Sequence, residues 1–121
     1  MTKTVLTVDD SRTMRDMLLL ALQDAGYRVV QAVDGVHGLE VLHQERPDIV
    51  ITDINMPRMD GFGFIEGMRS NPDYSCVPVL VLTTESDAAK KQRARDAGAT
   101  GWIVKPFDPV RLVDAVRRVA A

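Results

Sequence analysis

The chain has 121 residues, 45% of them hydrophobic and 26% charged, with a formal net charge of −2. That length suits one domain with a real core. The charge balance argues against a nucleic-acid surface or polybasic anchor, and the apolar runs are too short to span a bilayer.

Met1-Thr2-Lys3 leads straight into a strand-like run, without a signal-peptide apolar segment. The lone Cys76 cannot close an internal disulfide. Cytoplasmic residence is therefore expected, with Cys76 as a small core or loop residue.

Thr4–Val8 reads as a first strand, ended by Asp9-Asp10. A helix follows, with Ser11 or Asp10 as N-cap. Met14, Met17, Leu18, Ala21, Leu22 and Ala25 share one face at helical spacing, and Gly26 stops it. Arg28–Ala32 is a second strand. Asp34-Gly35 turns into a second helix carrying Leu39, Val41 and Leu42, closed by Pro47. His37 and His43 lie in this helix without clustered partners, so a surface role is expected over metal ligation, which needs three or four ligands for zinc.

Residues 48–52 form a third strand, short and β-branched in the manner of strands buried on both faces, and it delivers Asp53 at its end. A loop over 55–61 leads to a third helix around Phe62, Ile65 and Met68, followed by a turn at Asn71-Pro72-Asp73. Residues 77–82 are the fourth strand, and Thr83-Thr84-Glu85-Ser86 caps a fourth helix that ends at Gly98. Gly101–Val104 is the fifth strand, ended by Lys105-Pro106. Asp108 caps the last helix with Pro109 at its first position, and its apolar face is Leu112, Val113, Val116, Val119 and Ala120.

The strict alternation predicts an α/β fold, a doubly wound (βα)5 five-stranded parallel sheet with helices on both faces. No repeat, linker or low-complexity tract interrupts it, so residues 1–121 read as one domain.

Parallel strands all end on one edge, which gathers Asp9, Asp10, Asp53, Thr83 and Lys105 there. In the flavodoxin-like order 2-1-3-4-5 the third strand is central, with neighbours about 4.8 Å away. Asp9 and Asp10 then approach Asp53 from one side and the Thr83 hydroxyl from the other. The fifth strand lies two spacings off, roughly 10 Å, a gap that only a long side chain such as Lys105 crosses.

Three carboxylates at close range repel one another and raise one another's pKa. A hard cation such as Mg²⁺, which takes one or two carboxylates plus waters and phosphate oxygens, removes the conflict. A metal bridging Asp10, Asp53 and a phosphoryl oxygen would neutralise charge as Asp53 attacks phosphorus. Lys105 would be a second cation and Thr83 a hydrogen-bond donor. The chemistry is phosphoryl transfer by positioning and electrostatics, leaving an aspartyl phosphate. Singly, each residue has a plainer reading: Asp as helix cap or solvated carboxylate, Thr83 as cap, Lys105 as a snorkelling surface lysine. Their coincidence at successive strand ends favours the joint one.

The paired acids Asp9-Asp10, Asp53, Met56-Pro57-Arg58-Met59-Asp60-Gly61, Thr83 and Lys105-Pro106-Phe107 together resemble the receiver domain of two-component response regulators, over the whole chain. Asn55, Glu85 and Trp102 look most like the CheY type. Val8-Asp9-Asp10-Ser11-Arg12 and Gly101-Trp102-Ile103-Val104-Lys105-Pro106-Phe107 are similar to α-proteobacterial chemotaxis versions. The strand order itself belongs to this resemblance.

The resemblance implies that Asp10 and Asp53 hold Mg²⁺ directly, Asp9 through water, with the Asn55 backbone carbonyl completing the set. Asp53 would take its phosphoryl group from a phosphohistidine on a CheA-like histidine kinase, and Lys105 and Thr83 would bond the phosphoryl oxygens. In the family an aromatic residue three before the lysine, usually Phe or Tyr, turns inward as the threonine (here Thr83) moves, and the bulkier Trp102 stands at that switch position. The Lys105-Pro106 peptide is expected cis. Asn55 and Glu85, two residues after Asp53 and Thr83, would touch attacking water and set a phosphoryl lifetime of seconds to minutes.

Output is expected from the fourth helix, fifth strand and fifth helix, where Lys90, Lys91, Arg93 and Arg95 make the fourth helix basic beside Trp102. By itself a basic helix face is equally a solvated one. The resemblance points to a flagellar motor switch protein similar to FliM, or to a phosphate-sink role, and the residues do not separate these. A monomer is expected, and a phosphatase is an open partner.

Other classes fit less well. A haloacid-dehalogenase-type phosphatase needs a second Asp two residues after the nucleophile, where this chain has Asn55. A flavin binder needs a Ser/Thr/Gly-rich phosphate loop where Asp9-Asp10 would repel phosphate. A receiver-like module without phosphoryl chemistry would lack key residues, and all five are present.

Overall fold

The computed structural model describes residues 2–120. Met1 and Ala121, the two ends of the expected domain, lie outside them. Among the described residues the elements run β1 (Thr4–Val8), α1 (Arg12–Asp24), β2 (Arg28–Ala32), α2 (Gly35–Glu45), β3 (Ile49–Thr52), α3 (Gly61–Arg69), β4 (Val79–Thr83), α4 (Ala88–Ala97), β5 (Gly101–Val104) and α5 (Pro109–Ala120). The sheet is parallel in the order β2-β1-β3-β4-β5, as expected.

Successive strand residues point to opposite faces, and here both faces are covered. Leu6, Val8, Val50, Val79 and Val81 enter one core with Val41 and Leu42 of α2, Phe64, Ile65 and Met68 of α3 and Ala94 of α4. Val5, Ile49, Ile51, Leu80 and Leu82 enter the other with Leu18 and Leu22 of α1 and Leu112 and Val116 of α5. The two cores clamp the central strands, and β3 is buried at every residue. Thr7 is fully buried and its hydroxyl has no hydrogen-bond partner among the described residues. Thr7→Val keeps the shape and removes that orphan group, so it should raise stability in urea unfolding by about 1 kcal/mol.

Several boundaries differ from the sequence expectation. β4 starts at Val79, not 77. Pro78 has no N–H to donate, although its carbonyl accepts from Val50 N. Asp48 stays outside β3 because its carboxylate caps the Thr4 amide. α4 is capped by Asp87, whose side chain accepts from Ala89 N, rather than by residues 83–86. Met17 is 46% exposed, because Leu18 and Leu22 are what α1 lays on the sheet. Cys76 is an exposed residue just after the 3-10 turn Pro72–Tyr74. α1 is capped by Ser11 rather than Asp10, and α5 begins at Pro109 with the Asp108 carboxylate accepting from Val110 N, as expected. The Lys105-Pro106 bond is cis.

Candidate functional site

The register decides what meets at the sheet edge. Val8 pairs with Thr52, so Asp9 and Asp53 are the next residues on adjacent strands, and Asp53 N donates to Val8 O at 3.0 Å. Carboxylate oxygens of Asp9, Asp10 and Asp53 all lie within 4.8 Å of one another. From β5, two strands away, Lys105 reaches across. Its Nζ stands 2.8 Å from Asp53 Oδ2 and 2.9 Å from Asp9 Oδ2. The length argument for this lysine holds.

The three acids are not equivalent. Asp9 is 2% exposed, and its other oxygen accepts from Ser11 N at 2.9 Å. Burial pushes the Asp9 carboxyl above its usual range, and the Lys105 and Ser11 bonds offset this only in part. Burial alone would lower the Lys105 pKa, but its bonds to Asp53 and Asp9 outweigh that and raise it, so it is a fixed cation. Asp53 uses its remaining oxygen to accept from Ile54 N. Asp10 is exposed and accepts no hydrogen bond among the described residues, which leaves its oxygens open. An all-oxygen donor set with one free carboxylate fits a hard divalent cation; softer metals would want nitrogen or sulfur. Neither His37 nor His43 joins it. His37 Nδ1 accepts from Val33 N, and His43 meets the Tyr74 hydroxyl.

Thr83 is buried at the end of β4, where its hydroxyl accepts from Glu85 N at 3.4 Å. It makes no hydrogen bond to Asp53, so the structure brings it to the site edge without joining it to the acids. Asn55 and Glu85 do meet, with Asn55 Nδ2 donating to Glu85 Oε1 at 3.2 Å. Lys90 Nζ sits 3.1 Å from the same oxygen. The Asn55 bond and then the Lys90 bond hold the Glu85 carboxyl below its usual range. Trp102 Nε1 donates to the Glu85 carbonyl at 3.1 Å, and its ring packs against the α3–α4 core.

The basic face divides. Lys91 and Arg95 line a groove with Trp102, whereas the Arg93 guanidinium lies 4.0 Å over the Phe62 ring, on the α3 side. An α4–α3 cation–π contact thus holds the Arg93 guanidinium on Phe62, outside the groove that Lys91, Arg95 and Trp102 line.

One set of residues was missed. Asp34, the buried N-cap of α2, accepts two bonds from Arg58 in the β3–α3 loop, at 2.7 and 3.1 Å. The Arg58 bond holds the Asp34 carboxyl below its usual range, despite burial. A depressed carboxyl stabilises the fold above its unfolded pKa, about 3.9, and that stability goes as pH falls through the folded value. Asp34→Asn keeps a capping oxygen and loses the charge. Its stability deficit should be constant near neutrality and shrink towards zero in acid, as read by urea unfolding at a series of pH values.

A family model for the response regulator receiver domain matches residues 5–117. The chain belongs to this family. Receiver domains are the phospho-accepting parts of two-component systems, served by histidine kinases, and bind Mg²⁺ at an acidic pocket; this chain has an acidic cluster at Asp9, Asp10 and Asp53. The receiver is 45% identical to the chemotaxis response regulator CheY4 of Vibrio cholerae, with a TM-score of 0.93 over 98% of this chain and 99% of that one. It is 37% identical over 116 residues to the probable chemotaxis protein CheY of Rhizobium etli, covering 95% of this chain and 90% of that protein. It is also 42% identical over 115 residues to the probable transcriptional regulator ycf27 of Guillardia theta, covering 95% of this chain and 44% of that protein. The chain thus spans about half the length of several curated relatives it matches. It is CheY-like. No helix among its described residues is long and apolar enough to cross a membrane.

Proposed function

We propose that residues 1–121 act as one cytoplasmic, monomeric receiver of the chemotaxis type, which takes a phosphoryl group on Asp53 from a CheA-like histidine kinase. The observation that carries this is the Lys105 ammonium bridging Asp53 and Asp9, with the open Asp10 carboxylate beside them. An Asp53 oxygen attacks phosphorus, the new O–P bond forms as the donor's N–P bond breaks, and the electron pair returns to the imidazole nitrogen. Lys105 already stands where a phosphoryl oxygen on Asp53 would need a cation, and the Thr83 hydroxyl is one strand away. Mg²⁺, held by Asp10, Asp53 and the Asn55 carbonyl with Asp9 acting through water, would supply charge neutralisation when bound.

Asn55 and Glu85 bond each other across the mouth of the site, so together they control where water enters. Release of the phosphoryl group in seconds to minutes follows; persistence for hours would contradict it. The signal leaves through Thr83, Glu85 and Trp102 to the α4–β5–α5 side, for which a motor switch protein similar to FliM is the proposed partner. The CheY-named relatives support that output. The transcription-regulator relatives support a second one, in which the same switch, or a phosphate sink, serves another protein target.

The test is intact-mass analysis after acetyl phosphate and Mg²⁺. Gain of one phosphoryl group by the wild type, abolished in Asp53→Asn, supports acceptance at Asp53. No gain by the wild type, or an undiminished gain in the variant, defeats it. Tighter binding of a motor-switch peptide by the phosphorylated protein would favour the first output, and unchanged binding the second.

A further inference from the structure

The segment 54–61 follows Asp53 directly, and its shape sets where the Asn55 carbonyl and side chain lie. It is closed at its base by Gly61 N donating to Ile54 O at 2.8 Å. At its tip the chain makes a three-residue turn, in which Met59 N donates to Pro57 O at 2.7 Å around Arg58, whose φ is +64°. The positive-φ form of that turn is rare and strained, and for a residue with a side chain it persists only when the surroundings hold it. Two contacts with α2 do so. Gly35 N donates to Met59 O at 3.1 Å, in an approach so close that a Cβ on Gly35 would lie 2.6 Å from that oxygen. The Arg58 guanidinium grips the Asp34 carboxylate with two bonds. Asp34 is doubly committed, because its Oδ1 also accepts from His37 N at 2.9 Å.

We propose that Arg58 and Asp34 are positioning residues of the phosphoryl-acceptor site, a latch that holds the strained 54–61 loop against α2 and so keeps the Asn55 carbonyl in place for the divalent cation. The inference rests on the receiver reading of Asp53 and its neighbours, and neither latch residue touches the cation or the phosphoryl group. A latch of this geometry has a distinctive signature. A residue serving only the fold should be replaceable by one that prefers its backbone conformation. Arg58→Gly does that, since glycine adopts φ +64° without strain, yet it removes the grip.

Mg²⁺ titration calorimetry and thermal unfolding are compared for the wild type, Arg58→Gly and Arg58→Lys. The expected result is a modest fall in the unfolding temperature of Arg58→Gly, because relief of the positive-φ strain offsets only part of the lost Asp34 bond. The still fully folded protein should bind Mg²⁺ roughly tenfold more weakly, the lower end for loss of a group supporting a ligand. Arg58→Lys, a point charge without the planar fork, should recover only part of the affinity. Equal Mg²⁺ affinity in the wild type and Arg58→Gly overturns the latch and leaves the receiver reading intact. Affinity lost only in step with unfolding also overturns it, because the role is then structural. Absence of saturable Mg²⁺ binding in the wild type takes down the site reading and the latch together.

Discussion

Lys105→Ala should be the most destabilising substitution at the site. Removing it leaves Asp9 and Asp53, with side chains 2% and 11% exposed, facing each other without their shared cation. Breaking a buried pair from one side costs about 3–5 kcal/mol, against far less for an exposed pair. The sign with pH follows from the carboxylates. Without the ammonium, the Asp9 carboxyl, which burial already holds above its usual range, loses the Lys105 bond that offsets this and rises further, so protonated Asp9 fits the fold better than ionised Asp9. The deficit should therefore be full at neutral pH and fade in acid. Mg²⁺ should recover part of it at neutral pH, since a divalent ion in the acidic cluster replaces the missing charge. Urea unfolding with and without Mg²⁺ at two pH values reads all of this. A deficit that neither acid nor Mg²⁺ reduces would mean that Lys105 acts by packing instead.

Gly61→Ala should be the most damaging small change. A Cβ there would lie 2.2 Å from the Asp53 carbonyl oxygen and 2.9 Å from Ile54 Cα. Both are backbone atoms on the chain that presents Asp53, so no rotamer change relieves the overlap. Either α3 retreats or the Asp53–Ile54 segment shifts, and the Gly61–Ile54 hydrogen bond is strained in both cases. Overpacking of this kind costs about 1–3 kcal/mol, and this one should lie near the top. Mg²⁺ affinity and the rate of reaction with acetyl phosphate should fall with it. Gly63→Ala is the control, since its Cβ would meet only the Met59 side chain, at 3.1 Å, and the Asp60 carboxylate oxygen, at 3.5 Å. It should be near neutral in both measurements.

The acidic cluster and its lysine were legible because they depend on few variables. Strand alternation puts Asp9, Asp53 and Lys105 on one edge, strand spacing sets the gaps, and side-chain length decides who can cross them. The 2.8 Å contact from Lys105 to Asp53 is that arithmetic realised. The strand order and the cis Lys105-Pro106 bond came with the family resemblance, not from any local pattern. Arg58 and Asp34 were illegible as a pair because they lie 24 positions apart and belong to no repeat or spacing. Asp34 announced itself only as part of the Asp34-Gly35 turn into the second helix. Met17 shows another limit. Helical spacing defines a stripe but not its angular offset, and the stripe on α1 is centred on Leu18 and Leu22. The displaced start of β4 was readable in principle, since Pro78 cannot donate to a ladder. The stacking of Arg93 on Phe62 was not readable from the spacing of α4, because Phe62 sits on another helix.

Glu85 has a consequence of its own. Through its carboxylate it holds Asn55 at the mouth of the acidic site and Lys90 on α4, and through its carbonyl it holds Trp102 on β5. One residue thus belongs to two surfaces, and linkage makes such sharing symmetric. Whatever factor phosphorylation of Asp53 adds to the affinity of a partner touching Lys90 or Trp102, that partner must return to the equilibrium for phosphorylation. On the function proposed above, a partner that binds the phosphorylated form more tightly at Lys90 or Trp102 therefore also stabilises that form. The scarcer the phosphoryl donor, the more the charged state of this receiver depends on who is bound to it.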